Sequence, residues 1–367
     1  MIFFIFVSII GILFLPYWII PANPFPKAKG QWQIGISNFI WDMPNQSGII
    51  AKIWYPTNDK KGIYSPYIDN IGRTLSLITG TNLLYKLIFN KFYLGRILTP
   101  AFINATLCQC QDGFPVILFS PGLGSINFLS TFYALEFASH GFIVIGINHP
   151  SSSANTILTD GSQVGFNKIN EEVLKDDDRL DQLFSEIMLQ QANNISMVLN
   201  KVINLNSISD SFLYQKINVN KIFAAGHSIG GAASFIACGK DKRIFKGVNL
   251  DGRFINAVDT NYAGKELLKI TADRDKYKPK NKTARSRYDS FMTKDKIQIE
   301  NLSVKANLHK LSFQDANHFN FTDLSIIIKP IFGKMIGLVG KTNGLNLLSK
   351  TSTITIDFLN KQNSVAD

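Results

Sequence analysis

The stretch KIFAAGHSIGGAASFIA, residues 221–237, decides the fold. Its first part is an apolar run of strand length, and the small residues from position 231 onward are typical of the start of a helix. Between them lies GHSIG, in which glycines flank a serine, as a sharp and strained strand-to-helix turn requires. This context predicts a nucleophile elbow that holds the hydroxyl of Ser228 above a sheet.

Apolar runs alternate with helical stretches on both sides of this elbow. Continuous apolar strands that alternate with helices are typical of a parallel sheet covered on both faces. The fold class predicted is α/β, an α/β-hydrolase with a mostly parallel sheet and an N-terminal antiparallel strand pair. The strands are predicted at residues 33–39, 49–55, 114–120, 142–148, 246–250, 267–272 and 308–313, and the helices at 131–139, 176–205 and within 335–362.

The first segment differs in composition from the rest of the chain. Residues 1–20 are almost wholly apolar and uncharged. A helix of this length is just long enough to cross a hydrocarbon core of about 30 Å. Residues 1–24 are therefore predicted to be a signal or membrane anchor, and the protein to be secreted or membrane-attached. Residues 25–367 are predicted to form one catalytic domain with an insertion at about 62–111.

The net charge of +11 favours an anionic partner such as a phospholipid headgroup layer or a nucleic acid. No zinc-knuckle, recognition-helix or base-stacking pattern accompanies the basic residues, so a nucleic-acid partner is not predicted. The basic run at residues 276–287 is interpreted as a solvated loop. Three cysteines form neither a disulfide framework nor a set with metal-ligand spacing. We expect no metal and no cofactor, and the oligomeric state stays open.

A serine hydroxyl at neutral pH needs a general base, and the base needs an orienting carboxylate. In α/β-hydrolases the acid and then the histidine follow the serine along the chain. Two histidines follow Ser228. His309 lies inside a predicted strand, whereas His318 lies in a loop just past a strand end, where catalytic groups gather. His318 is therefore the predicted base.

The carboxylate partner has three candidates. Asp251 follows the strand after the elbow helix, and Asp273 and Asp275 follow the next strand. Each of them also suits a turn or a helix cap, which are common positions for aspartate. Spacing along the chain does not choose between them.

Acyl transfer also needs backbone N–H groups that stabilise the tetrahedral oxyanion. One donor is expected from Ile229, the residue after the nucleophile. The second is expected in the glycine-rich loop SPGLGS at residues 120–125, with the N–H of Leu123 as the candidate. The same loop lacks the Lys-Ser/Thr end of a phosphate-binding P-loop, which argues against a nucleotide site.

Three blocks of the chain resemble the platelet-activating factor acetylhydrolase family of the plasma and intracellular type II kind, also called lipoprotein-associated phospholipase A2. GHSIGG at residues 226–231 is similar to the family's GHSFGG. FSPGLG at 119–124 is similar to the family's FSHGLG, and ASHGFIV at 138–144 matches the family's ASHGFIV. The predicted insertion, between SPY at 65–67 and LTPA at 98–101, also resembles the family's.

The resemblance also selects among the candidate site residues. The family takes its acid from a Leu-Asp-Ala segment, and LDG at residues 250–252 falls at that place, which favours Asp251. HFNFTDL at residues 318–324 is similar to the family's histidine segment HQNFADF. One departure, PSSS at residues 150–153 in place of a charged run, affects what the mouth of the site accepts.

The resemblance implies a calcium-independent serine esterase that releases a short sn-2 acyl chain from phospholipids like platelet-activating factor. Contact with a lipid interface is predicted. The insertion is a candidate for this surface, in particular Tyr85, Leu87, Ile88, Phe89, Phe92 and Tyr93, and the alternative for the same residues is an ordinary helix packed on the sheet. One alternative is a carboxylesterase or dienelactone-hydrolase-like enzyme that acts on small soluble esters. A second is a catalytically silent, membrane-attached binding protein, which would require a broken triad.

Overall fold

The computed structural model describes residues 25–43, 46–69, 94–157, 162–254, 260–273 and 278–361. The predicted signal or anchor segment, the aromatic core of the insertion and Asp275 lie outside the described residues. Within the described ranges, no helix combines the length and apolar character that crossing a membrane takes.

A single mixed sheet forms the centre of the described structure, with the strand order β12-β11-β10-β9-β5-β6-β2-β1-β4-β3. A separate hairpin pairs β7 with β8. The strands are β1 (Gln33–Met43), β2 (Gln46–Thr57), β3 (Tyr64–Pro66), β4 (Leu98–Ile103), β5 (Phe114–Ser120), β6 (Ile143–Asn148), β7 (Asn155–Ile157), β8 (Gln163–Gly165), β9 (Ile217–His227), β10 (Ile244–Leu250), β11 (Glu266–Ala272) and β12 (Asn307–Phe313).

The sheet confirms the predicted fold class. The six strands from β12 to β6 pair in parallel, and β2 runs antiparallel to both β6 and β1. The described ends of the predicted insertion add β3 and β4 to the edge beyond β1. Because the central strands are parallel, their carboxyl ends lie at one edge, where the loops that carry site residues meet.

Helices cover both faces of this sheet. One apolar cluster joins the sheet to α3, α4 and α5, and the other joins it to α1 and α8. The helices are α1 (Thr131–Ser139), α2 (Glu171–Lys175), α3 (Asp177–Ser207), α4 (Ile229–Lys240), α5 (Lys282–Lys305), α6 (Leu324–Ile327), α7 (Pro330–Met335) and α8 (Gly344–Asn360).

Side-chain caps explain where the longer helices begin. The carboxylate of Asp176 accepts the N–H groups of Asp178 and Arg179 at 3.1 Å and starts α3, close to the predicted boundary. Asn281 accepts the N–H of Ala284 at 3.1 Å and starts α5. The interpretation of residues 276–287 as a loop was therefore wrong from residue 282 onward, because a good cap outweighs the mutual repulsion of exposed basic side chains.

A buried polar network ties the ends of β5 and β6 to α3. His149 Nε2 lies 2.8 Å from Ser120 Oγ, which donates to Gln191 Oε1 at 3.1 Å. Asn194 Nδ2 lies 3.3 Å from His149 Nδ1, and Gln191 Nε2 donates to Ser152 Oγ at 3.1 Å. These partners fit a neutral imidazole protonated at Nε2. Burial lowers the pKa of His149 to about 3.

The buried imidazole predicts an acid-sensitive contribution to stability. Below the ordinary pKa of 6.5 the unfolded chain takes up a proton that folded His149 refuses until about 3. The free energy of unfolding therefore falls as the pH drops through this window, by up to about 1.4 kcal/mol per pH unit from this group. Urea unfolding over a pH series should show a shallower fall for His149→Gln.

The control is His309→Gln, because His309 is an exposed side chain on the edge strand β12. This variant should keep the pH dependence of the original protein. Equal pH slopes for His149→Gln and the original protein would contradict the prediction.

Candidate active site

The predicted elbow turns at Ser228, between the end of β9 and the start of α4. Its φ of 58° and ψ of −131° lie outside the regions that residues other than glycine normally adopt. The N–H of Ser228 donates to the carbonyl of Leu250 at 2.9 Å, which ties the turn to the neighbouring strand β10. A strained serine on a strand-to-helix turn is the geometry of a nucleophile elbow.

Lack of space explains the glycines around this serine. A Cβ on Gly226 would lie 2.4 Å from the carbonyl oxygen of Gly230. A Cβ on Gly230 would lie 2.3 Å from the carbonyl oxygen of Ser120, and one on Gly231 would lie 2.4 Å from Asn249 Oδ1. All three distances are far below van der Waals contact, so the elbow packs against β5 and β10 only without these side chains.

The structure brings together Ser228, His318 and Asp251. His318 Nε2 lies 2.9 Å from Ser228 Oγ, and His318 Nδ1 lies 2.7 Å from Asp251 Oδ2. The carboxylate is 4% exposed and the imidazole 25%, so the ring faces an opening while its acid partner is shielded. A carboxylate at Nδ1 favours the tautomer with the proton there, which leaves the Nε2 lone pair for the serine hydroxyl.

Two other candidates, Asp273 and His309, lie elsewhere. Asp273 follows β11, and its N–H donates to the carbonyl of Phe313 at 2.9 Å, but the carboxylate beside His318 Nδ1 is that of Asp251. His309 lies on the edge strand β12 with its ring 5.7 Å from that of Phe358.

A tight turn orients Asp251, whose φ is 56°. Its N–H donates to the carbonyl of Ile270 at 2.7 Å, and its Oδ1 accepts the N–H of Ala272 at 2.9 Å. The amide of Asn249 closes the turn, because Oδ1 accepts the N–H of Gly252 at 2.7 Å and Nδ2 donates to the Gly252 carbonyl at 3.1 Å. Sequence reasoning missed Asn249, since an asparagine inside an apolar strand gives no sign of its partner.

A buried ion pair fixes the loop that follows. Lys269 Nζ lies 2.7 and 2.9 Å from the two carboxylate oxygens of Asp295 and donates to the carbonyl of Gly252 at 3.1 Å. Asp295 Oδ1 also accepts the N–H of Phe254 at 2.6 Å. Burial lowers the pKa of Lys269, and the charge of Asp295 opposes that shift. The pair joins β11, α5 and residues 251–254 into one support.

A capped turn holds the histidine. His318–Phe321 forms a short 3-10 helix, and Asn317 Oδ1 accepts the N–H of His318 at 2.8 Å. Asn320 Oδ1 accepts the N–H of Asn317 at 2.8 Å and that of Gly340 at 2.6 Å. This reciprocal cap leaves His318 little freedom to move away from Ser228.

Asp323 anchors the same segment to the start of α1. Its carboxylate accepts the N–H groups of Thr131 at 2.8 Å and Phe132 at 3.1 Å, and the hydroxyl of Tyr67 at 3.1 Å. Burial raises the pKa of Asp323 to about 7, and the three donors work against this rise. The histidine loop is thus attached to the helix that follows β5.

The glycine-rich loop after β5 passes directly over the elbow. A Cβ on Gly122 would lie 3.0 Å from Ser228 Cβ. Among the described residues, the N–H of Leu123 donates to no acceptor. Ile229 is the first residue of α4, so its N–H precedes any acceptor within the helix. Both residues line the cavity that contains Ser228.

That cavity has a volume of about 330 Å³, and Ser228, His318 and Asp251 all line it. The rest of its lining in the described structure is Leu123, Phe184, Met188, Ile229, Arg253 and Phe291. Sequence reasoning missed Phe184, Met188 and Phe291, because helix residues that face a cavity carry the same pattern as residues that face a core. It also missed Arg253, because a single arginine in the loop after β10 gives no sign of what it faces. Within the described ranges, no group of three His, Cys, Asp or Glu side chains is arranged to hold a metal ion.

A serine on a strained elbow, an imidazole beside it and a shielded carboxylate at the carboxyl edge of a parallel sheet define an α/β-hydrolase. A ferulic acid esterase from Streptomyces cinnamoneus has this fold, with a TM-score of 0.67, 18% sequence identity and coverage of 92% of each chain. The model of the family "Platelet-activating factor acetylhydrolase, isoform II" matches residues 19–367, and the chain belongs to that family.

Named relatives agree with this assignment. The chain is 26% identical to the platelet-activating factor acetylhydrolase of Bos taurus, over 93% of this chain and 78% of that one. It is also 26% identical to the protein of the same name from Canis lupus familiaris, over 93% and 76%. The predicted family and enzyme class are confirmed: the chain is a carboxylic ester hydrolase.

The elbow geometry predicts a severe effect of Gly230→Ala. Its new Cβ would lie 2.3 Å from the carbonyl oxygen of Ser120 and 2.4 Å from that of Pro121, and backbone cannot yield as a flexible side chain can. We expect a loss of about 3 kcal/mol or more in the free energy of unfolding, measured by urea titration.

Gly264→Ala is the matched control. Gly264 has a φ of 69° and nothing within 4 Å of a new Cβ, so it carries conformational strain without a clash. Its cost should be about 1 kcal/mol. If both variants lost the same small amount, the steric account of the elbow would be wrong.

Proposed function

We propose that Ser228, His318 and Asp251 form a catalytic triad in a calcium-independent esterase that removes the short sn-2 acyl group of phospholipids like platelet-activating factor. The observation that carries the proposal is the chain of two short contacts, 2.9 Å from Ser228 Oγ to His318 Nε2 and 2.7 Å from His318 Nδ1 to Asp251 Oδ2. An unbroken chain of this kind argues against a catalytically silent binding protein.

In the proposed reaction Ser228 Oγ attacks the carbonyl carbon of the ester while its proton passes to His318 Nε2. Asp251 stabilises the imidazolium that forms. The N–H groups of Leu123 and Ile229 donate to the negative oxygen of the tetrahedral intermediate. The imidazolium then protonates the departing alkoxide, which leaves as a lysophospholipid. Water, deprotonated by His318, releases the acyl group as a carboxylate. Because the imidazole generates the nucleophile and two backbone N–H groups stabilise the oxyanion, the proposed reaction needs no calcium.

Two observations support the choice of substrate. The named relatives from Bos taurus and Canis lupus familiaris are platelet-activating factor acetylhydrolases. The cavity beside Ser228 holds about 330 Å³ between largely apolar walls, which suits a short acyl chain and part of a lipid.

The triad proposal predicts very unequal effects for two aspartates. With an ether phospholipid that carries an sn-2 acetyl group, Asp251→Asn should lower kcat by about 10⁴, because the imidazole then adopts the wrong tautomer. Asp273→Asn is the matched control and should lie within a few-fold of the original enzyme. Acetate release measured with a calcium chelator present gives both rates.

Ser228→Ala should also abolish labelling by a fluorophosphonate probe. A larger loss for Asp273→Asn than for Asp251→Asn would refute the assignment of the acid. Turnover of short soluble p-nitrophenyl esters without any acetate release from the phospholipid would favour the carboxylesterase alternative.

We further propose that the protein is secreted or membrane-attached and takes its substrate from a lipid interface. Exposed apolar side chains support this: Ile331 and Met335 are each 72% exposed and Ile336 is 66%. They belong to or directly follow α7, and Asn317 Nδ2 donates to the carbonyl of Gly337 at 2.8 Å. The exposed apolar group thus lies next to the histidine loop. The net charge of +11 would favour an anionic lipid surface.

Replacing two of these side chains tests the interface. The double variant Ile331→Ser/Met335→Ser should bind vesicles that contain phosphatidylserine at least about 10-fold more weakly, since each apolar side chain contributes about 1.5 kcal/mol or more when buried. Co-sedimentation measures the binding. Val304→Ser on α5 is the control, because Val304 is 88% exposed and lies beside the amino ends of β11 and β12, whereas the histidine loop follows the carboxyl end of β12. Equal binding by the double variant would contradict the proposed surface.

A further inference from the structure

The cavity beside Ser228 is lined by Ser228, His318, Asp251 and six further described residues. Among these six, only Arg253 carries a positive charge. The other five have apolar side chains, which are aliphatic, aromatic or, in methionine, a thioether. Pockets for small molecules use a few placed polar groups to fix the orientation of a ligand that apolar walls otherwise hold loosely. The half-buried guanidinium of Arg253 is such a placed polar group in this wall.

Aromatic rings and a firm backbone set the position of this guanidinium. Its central carbon lies 5.0 Å from the ring centroid of Tyr288 and 5.6 Å from that of Phe291, both on α5, which are cation–π distances. The backbone on either side is tied to Lys269 and Asp295 through Gly252 and Phe254. Arg253 is also only two residues from Asp251, so the support that orients the acid orients the arginine as well.

The proposed substrate carries a matching charge at a matching place. In a glycerophospholipid the phosphate is attached to the carbon next to the one that bears the sn-2 ester. When that ester lies at Ser228, the phosphate stays near or within the same cavity. Arginine suits phosphate because its planar fork of N–H donors can pair with two oxygens at once. A choline ammonium is disfavoured at this point, because it would meet the like charge of Arg253.

We propose that Arg253 is a specificity-determining residue that binds the phosphate of the substrate. This inference rests on the proposed phospholipid esterase function and names the part of the substrate, beyond the ester, that the site recognises. The recognised group is the phosphodiester, and the headgroup beyond it is not distinguished.

The test compares three lipids that share the same ether chain and sn-2 acetyl group. They carry phosphocholine, phosphoethanolamine or, in 1-alkyl-2-acetylglycerol, no phosphate. The original enzyme should prefer both phospholipids to the phosphate-free lipid by about 10- to 100-fold in kcat/KM, the range of a charge-assisted hydrogen bond. In Arg253→Met the preference should fall to a few-fold at most, with Arg253→Lys between the two.

Arg285→Met is the matched control, because Arg285 lies on α5 and pairs with Asp289 at 3.1 Å on the outer surface. It should keep the full preference, and thermal unfolding should show that the Arg253 variants are folded. A preference that survives in Arg253→Met, or an original enzyme that hydrolyses all three lipids equally, would overturn the role of Arg253. An original enzyme that releases no acetate from either phospholipid would overturn the proposed function itself, so the two failures are distinguishable.

Discussion

The close approach of the elbow backbone to the end of β5 is the constraint on which the rest of the site depends. Gly230 lies against the carbonyls of Ser120 and Pro121, and Gly226 lies against the carbonyl of Gly230. This contact brings the loop of Leu123 over Ser228. The parallel pairing of β9 with β10 brings the carboxyl end of β10, and so Asp251, beside the same turn. A wider elbow would separate the serine from both of these neighbours.

Buried polar groups hold the elements that surround this elbow. The network around His149 supports the loop after β5, the pair of Lys269 and Asp295 supports the turn of Asp251, and Asp323 attaches the histidine loop to α1. Isolated, each of these groups would be costly to bury. Each of these groups has partners from a different element. Together they therefore specify one particular arrangement of the loops, whereas apolar burial alone would favour any compact arrangement.

Local patterns accounted for most of the fold. The helix over Thr131–Ser139 and the strand Phe114–Ser120 were predicted at their observed boundaries, and the elbow was predicted from the pattern of residues 221–237. The start of α5 was missed because charge density outweighed a cap in the interpretation. Chain spacing left Asp251 and Asp273 open, and the family resemblance selected Asp251, which is the one that lies beside His318.

The amino-acid sequence by itself determined the alternation of strands and helices, the elbow and the family, because these depend on patterns among neighbouring residues. Tertiary structure alone decided that Asn249, Lys269 and Asp295 support the turn of Asp251 and that Arg253 lines the cavity. These contacts join residues from separate strands and helices. Which side chains meet there is set by how the helices pack on the sheet, and no local pattern records that packing.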